Sequence, residues 1–233
     1  MRLSLTTVPL VAAAVLLTSP GLALASTASA HHARALSSGA SGRDVRQVQN
    51  RLNSLHYYAG PANGRFGAAT LEAVWAFQEV QGIPVTGSVG SATYRALAHP
   101  KAPRPLVRGG GSTRVEVNLA KHVLVLWRHG RVALISHVST GGGYYFCSRG
   151  SCGYAVTPAG NYRTTVFMPG WVRVPLGEMY NPVFFIGTAF AIHGEAYVPL
   201  RPVSHGCVRI PMDVATFFHR LVRTPGTPVY IRW

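Results

Sequence analysis

A proline- and glycine-punctuated stretch, His99-Pro100-Lys101-Ala102-Pro103-Arg104-Pro105-Leu106-Val107-Arg108-Gly109-Gly110-Gly111, separates two incompatible hydrophobic periods. Proline lacks the N–H that a helix or strand interior needs, and a run of glycines is costly to order. Neither period can run through it. Before it, apolar residues recur at helical spacing; after it, they alternate. The expected fold class is therefore multidomain α+β, with residues 99–112 as a linker stiffened by its prolines and hinged at its glycines.

In the first part, Val45, Val48, Leu52 and Leu55 fall on one helical face from Arg43 onward, and Thr70, Ala73, Val74 and Phe77 share a face over residues 68–81. An internal repeat overlaps the second helix. Asn63-Gly64-Arg65-Phe66-Gly67-Ala68-Ala69-Thr70 aligns with Thr86-Gly87-Ser88-Val89-Gly90-Ser91-Ala92-Thr93, each copy a glycine turn, an apolar plug and a helix start. The two copies and the first helix predict a small three-helix module over residues 43–98. With Asp44-Val45, Gln49, Leu52, Gly64-Arg65-Phe66-Gly67 and Phe77-Gln78, this module resembles the common peptidoglycan-binding domain. The resemblance implies glycan and stem peptides of peptidoglycan as partners. A small, polar leader, residues 31–42, precedes it and is expected to be flexible. Residues 1–30 carry Arg2, an apolar run interrupted by Pro9 and Pro20, and the small-residue patterns Ala23-Leu24-Ala25 and Ala28-Ser29-Ala30. They read as a signal peptide removed on export, against the alternative of a membrane anchor.

After the break, short strands are expected at 115–119, 123–127, 132–138, 161–167, 182–186, 189–193 and 228–232. A helix carries Val214, Phe217, Phe218 and Leu221. This predicts a mostly-β, sandwich-like domain over residues 113–233. The formal charge is +15, from 22 Lys and Arg against 7 Asp and Glu. Such a surface attracts anionic wall polymers. No Lys/Arg run interleaved with aromatics marks a nucleic-acid site, so nucleic acid is excluded as a partner.

Three cysteines leave one unpaired in an oxidising compartment. Cys147 and Cys152, close together in a glycine-rich loop, are the expected disulfide, the alternative being two free thiols. Cys207 is then the odd thiol. It ends the Ser-His-Gly turn of Ser204-His205-Gly206-Cys207-Val208-Arg209, and ten residues separate Ser204 from the His193 of Ala191-Ile192-His193-Gly194. A thiol needs a base, because the thiolate is the nucleophile, and an imidazole supplies one. Glycine beside the cysteine allows a sharp turn and close approach of a substrate carbonyl. The competing reading for Cys207 is a buried structural thiol, and for His193 a hydrogen-bonded core histidine.

These residues, with Thr157-Pro158-Ala159-Gly160-Asn161-Tyr162, resemble the L,D-transpeptidase (YkuD-like) catalytic domain. That resemblance implies Cys207 as nucleophile, His193 as base with the Gly194 carbonyl orienting its ring, and backbone N–H groups near Gly206 and Cys207 as the oxyanion site. His205 shapes the turn, acts as a second base, or only hydrogen-bonds. Ser204 supports the turn. Arg209 either forks a substrate carboxylate or pairs with Asp213 or a carbonyl. Tyr180 either borders the pocket or packs. The short spacing between His193 and Ser204 puts a lid there in question.

The function implied is a secreted enzyme that forms peptidoglycan cross-links through a cysteine thioester, with no cofactor. With water as acceptor it becomes an L,D-carboxypeptidase; without chemistry, a peptidoglycan-binding protein. A zinc site built from His193, His205 and Cys207 has legitimate ligand types, but no His-Glu-x-x-His is present and Glu195 is the one nearby acid.

Overall fold

The computed structural model describes residues 35–148 and 150–233. The expected signal peptide, and the leader up to residue 34, lie outside the described residues. Helices α1 (Arg43–Ser54), α2 (Ala68–Gln81) and α3 (Ser91–Ala98) form the first module. Val45, Val48 and Leu52 turn inward from α1, as their spacing requires. α2 stops at Gly82, whose left-handed φ of 67° lets the Gly82 and Ile83 N–H groups return to the Glu79 and Gln78 carbonyls.

The sequence repeat has a physical cause, a glutamine clamp made twice. Gln49 Nε2 donates to the Arg65 carbonyl at 2.9 Å and to Thr70 Oγ1 at 3.0 Å, while its Oε1 accepts from the Gly64 N–H at 2.9 Å. Gln78 does the same with the Ser88 carbonyl at 2.9 Å, Thr93 Oγ1 at 3.0 Å and the Gly87 N–H at 3.0 Å. Each buried amide satisfies the turn that launches the next helix.

Eleven strands and one helix follow. β1 (Arg114–Asn118), β2 (Val123–Arg128), β3 (Arg131–His137), β6 (Gly160–Arg163) and β11 (Pro228–Arg232) form a sheet in the order β3-β2-β1-β11-β6. β7 (Trp171–Val174), β8 (Gly177–Ile186), β9 (Phe190–Glu195) and β10 (Val208–Pro211) form a second, in the order β10-β9-β8-β7. β4 (Tyr145–Ser148) and β5 (Ser151–Tyr154) pair as a separate hairpin. Val115, Val117, Leu124, Leu126, Val229 and Ile231 meet Val183, Phe185, Ile192, Val208 and Ile210 between the two sheets. Val214, Ala215 and Phe218 of α4 (Met212–Leu221) join the same core. The α+β class with a sandwich-like second part is what the structure has. The strands expected at 182–186 and 189–193 belong to the longer β8 and β9, and β4, β5, β7 and β10 were not foreseen.

The two parts are not tethered bodies; the described residues cluster as one unit. Val123, Val125, Trp127 and Ile135, on the outer face of the first sheet, share a buried cluster with Val45, Leu52, Tyr57, Val74 and Phe77 of the helices. The linker is docked rather than hinged. Gln81 brackets Lys101, accepting its N–H at 2.7 Å and donating to its carbonyl at 3.0 Å. The Leu106 N–H donates at 2.9 Å to Glu116, a buried carboxylate that also pairs with Arg114 and accepts from Trp127 Nε1. The described part of the leader is likewise held: Leu36 is buried and exchanges both backbone hydrogen bonds with Val89, and the Gly42 N–H donates to the Gly64 carbonyl. Side-chain amides and a carboxylate thus satisfy the backbone of segments whose composition alone reads as free coil.

A shared core predicts one unfolding transition. Denaturant melts followed by probes in the helical module and in the second sheet are expected to coincide. Trp75→Ala, which removes an indole packed edge-on against His137 at 5.3 Å, is expected to destabilise both together by about 3–5 kcal/mol. Two separated midpoints would show that the lobes fold independently.

Candidate active site

The site lies on the face of the second sheet away from the sandwich core. β9 and β10 run parallel, with Ile192 opposite Val208 and His193 opposite Arg209. Side chains alternate across a sheet. Ile192 and Val208 therefore enter the core, while His193 and Arg209 share the outer face. Cys207, two residues before Arg209, lies on that face too and packs with Met179, Phe184 and Ala191.

His193 is buried, and its Nδ1 lies 3.0 Å from the Gly194 carbonyl. A carbonyl only accepts, so Nδ1 carries the proton and Nε2 keeps its lone pair. Burial, reinforced by the Arg209 charge, lowers the His193 pKa below the ordinary value of 6.5. Gly194 is required by packing: a Cβ there would sit 2.6 Å from the Ala215 Cβ of α4.

The turn before Cys207 is built from hydroxyls. Ser204 Oγ accepts from the Gly206 N–H at 3.0 Å and donates to the Cys207 carbonyl at 2.6 Å. Thr157 Oγ1 donates to the Gly206 carbonyl at 2.7 Å and accepts from the Gly141 N–H at 2.8 Å. Gly206 has φ +137°, and a Cβ there would lie 2.5 Å from the Phe190 ring and 2.9 Å from the Val156 carbonyl oxygen. The Gly206 N–H is thus committed to Ser204. Burial raises the half-buried Cys207 thiol above its ordinary 9.0.

Cys207, His193, His205, Ser204 and Arg209 all line one cleft of about 540 Å³. His205 sits against Phe146 at 4.7 Å and Tyr144 at 5.5 Å, both edge-on. Its pKa is lowered by burial and by Arg209. Arg209 Nε lies 3.6 Å from Glu195, an ionic contact without a hydrogen bond, and its Nε has no other protein partner. Its partner is thus Glu195, not Asp213: Glu195 lies two residues beyond His193 and so on the Arg209 face.

Tyr180 does not reach the cleft. It is opposite Gly194, on the other face of the sheet, and packs on Trp171 at 5.3 Å. Its neighbour Met179 takes the cleft position, so of the two readings of Tyr180 the packing one holds and the pocket one misses by one residue of strand parity. Sequence reasoning also missed Thr157 as a support for Gly206, although its motif was in view, and the aromatic wall. That wall is the β4–β5 hairpin, in which the opposed Cys147 and Cys152 are joined as a disulfide and from which Phe146 and Tyr154 line the cleft. The β7–β8 hairpin adds Val174 and Leu176 to the lining.

No lid lies between His193 and Ser204. The Val198 N–H donates to Glu72 of α2 at 3.4 Å, the Pro199 carbonyl accepts from His137 Nε2 at 3.0 Å, and the Arg201 carbonyl accepts from Ser139 Oγ at 2.9 Å. The segment leans on the module instead of covering the cleft. Among the described residues no group of three or more His, Cys, Asp or Glu side chains is placed to hold a metal ion, and no helix is long and apolar enough to cross a membrane.

Two family models match the chain. A peptidoglycan binding domain covers residues 41–97, and the L,D-transpeptidase catalytic domain covers residues 112–231. A solved L,D-transpeptidase from Xylanimonas cellulosilytica superposes with a TM-score of 0.78 at 33% identity, over 84% of this chain and 96% of that one. A spore cortex-lytic enzyme of Bacillus cereus is 44% identical over 59 residues, 25% of this chain. The match spans only 23% of that relative's length. Fold, cleft and matched segments agree over both parts of the molecule: the chain belongs to the L,D-transpeptidase (YkuD) family and carries a peptidoglycan-binding module in front of the catalytic domain.

Proposed function

We propose that this protein is an exported cell-wall enzyme that cross-links peptidoglycan peptide stems through a thioester on Cys207. The observation that carries this reading is the β9–β10 register. It sets the unpaired thiol and an imidazole of fixed tautomer on one sheet face, beside an arginine, in one cleft. The disulfide-bearing hairpin and the wall-binding module support an extracytoplasmic location.

The shifts define the resting state. A thiol raised above 9.0 and an imidazole lowered below 6.5 are both neutral at pH 7. There is no preformed thiolate–imidazolium pair, so the proton leaves as the sulfur attacks. Cys207 Sγ bonds to the carbonyl carbon of the L-centre residue of a donor stem, and its proton passes to His193 Nε2. The carbonyl oxygen becomes an oxyanion. With the Gly206 N–H held by Ser204, the Cys207 N–H is its donor in this turn. Collapse breaks the C–N bond, and the departing D-amino acid takes the proton from His193. An acceptor amine then attacks the thioester, gives its proton to His193, and releases the thiol by the reverse path. Arg209 holds a carboxylate of the stem; Glu195, at 3.6 Å and without a hydrogen bond, leaves its fork available.

Cys207→Ala is expected to abolish turnover and the covalent adduct seen by intact mass with a disaccharide-tetrapeptide, while leaving the fold unchanged. A variant that still cross-links stems would refute the thioester route. The product distinguishes acceptors: a cross-linked dimer marks a transpeptidase, a shortened stem a carboxypeptidase.

The pH dependence follows from the two neutral groups. His193 must be unprotonated to act, and its pKa is lowered, so kcat/KM is expected to fall only as pH drops below 6.5. Iodoacetamide alkylation of the free enzyme is expected to be slow at pH 7 and to rise towards and beyond pH 9. Alkylation already fast and flat from pH 5 upward would show a standing ion pair instead.

The disulfide closes a hairpin too short to restrain much of the unfolded chain, so its role is local. Replacing both Cys147 and Cys152 with serine is expected to raise KM for a stem peptide more than it lowers kcat, with little change in global stability. A large loss of stability would place the disulfide in the folding core.

A further inference from the structure

The two copies of the glutamine clamp are alike inside and different outside. In the second copy, the helix residue three before the clamp is Trp75, and its indole fills the space over the glycine turn. A Cβ built on Gly87 would meet Trp75 Nε1 at 2.6 Å. That face docks on the catalytic domain, through Trp75 against His137 and Glu72 against Val198. In the first copy the corresponding positions are Arg46 for Trp75, Arg43 for Glu72 and Arg65 for Ser88. No tryptophan covers this turn; the backbone of Gly42 closes on Gly64 instead. Around it lies an open concavity of about 570 Å³, lined by Arg43, Arg46, Gln47, Asn50, Asn63 and Arg65. Its floor is backbone: the Gly42 N–H donates to the Gly64 carbonyl at 2.8 Å, and a Cβ on Gly64 would come within 2.9 Å of the Gly42 oxygen. Among the described residues none of the three arginines has a carboxylate partner. Asp44, the acid of the first turn of α1, does not line the concavity and bears instead on Tyr94.

From this difference between the copies we propose that the first-copy concavity is the module's ligand site, and that it takes a free carboxylate of a peptidoglycan peptide stem. Three unpaired guanidinium forks suit planar carboxylates, and the Gln47, Asn50 and Asn63 amides suit the adjoining peptide groups. At Gly42, where a Cβ would meet nothing within 4 Å, the floor leaves room for a ligand to approach the backbone. The proposal rests on the peptidoglycan reading of the protein and names the chemistry that anchors it. It also divides the work: one repeat face holds the catalytic domain, and its counterpart holds the wall.

The test uses the full chain and sacculi stripped of phosphate polymers, by co-sedimentation at constant ionic strength. The triple variant Arg43→Gln, Arg46→Gln, Arg65→Gln is expected to bind about tenfold more weakly or worse, since charge-assisted contacts are removed. Acylation of Cys207 by a soluble stem peptide should be unchanged. The exposed control triple Arg108→Gln, Arg128→Gln, Arg131→Gln should bind nearly as the wild type. Converting the stem carboxylates of the sacculi to amides should weaken the wild type to the level of the site variant and leave that variant unaffected. Equal losses in both triples would mean diffuse charge attraction and overturn the site. A difference between wild type and site variant that survives amidation, or appears only on walls retaining phosphate polymers, would overturn the carboxylate assignment. Wild type that binds no sacculi, yet is still acylated by the soluble stem, would remove the module's wall-binding role while sparing the catalytic reading.

Discussion

The parallel pairing of β9 with β10 is the constraint on which the site depends. The two strands lie close in sequence, yet parallel neighbours need a crossover between them. Here the crossover is the segment from Ala196 to Cys207, and the Ser204–Cys207 turn is its last part. One register, His193 opposite Arg209, fixes which face the imidazole, the guanidinium and the thiol share. A slip by one residue would send His193 into the sandwich core and Ile192 into the cleft. The glycines hold that register by close approach: Gly194 under Ala215, and Gly206 between Phe190 and Val156.

The crossover has no core of its own and borrows support. Its carbonyls and N–H groups are taken by Ser139, His137 and Glu72, the last of these from the helical module. Burial pushes the Glu72 carboxyl up to about 7 and the His137 imidazole down to about 4, so this seam disfavours charge on either side. The module is therefore a packed wall behind the segment that joins His193 to Cys207, and the outer face of β2 and β3 completes its core.

Much of this was legible in the residues. The helices of the module, the strand that carries His193 with its neighbour β8, and the odd cysteine follow from period and from cysteine pairing. The chemistry-bearing residues Cys207, His193, His205, Ser204 and Arg209 do meet in one cleft. What failed did so for two reasons. Parity decides whether a strand residue faces a cleft, and no local signal in Met179-Tyr180 says which of the two points there. Docking of irregular segments depends on distant partners: nothing in Lys101 or Leu106 announces Gln81 or Glu116, and nothing in Val198 announces Glu72. Proline and glycine mark where regular structure ends, but not whether the segment is free.

The repeat shows the same limit from the other side. Alignment of the two glycine turns finds the shared glycine and threonine positions, because those residues bond to the clamp amide in both copies. It is silent about the residues that differ, and these set what each face does. Tryptophan over Gly87 fills its hollow and makes an intramolecular contact. Over Gly64 it is the Gly42 backbone that closes, and beside it three arginines, without a carboxylate partner among the described residues, border an open concavity. Positive charge of this kind is unfavourable to folding on its own, since like charges converge without a partner. A duplicated scaffold that keeps its internal bonds and exchanges its outer residues in this way separates the two demands on the module. One copy must fit a surface fixed by the same chain, and the other is released to meet something outside it.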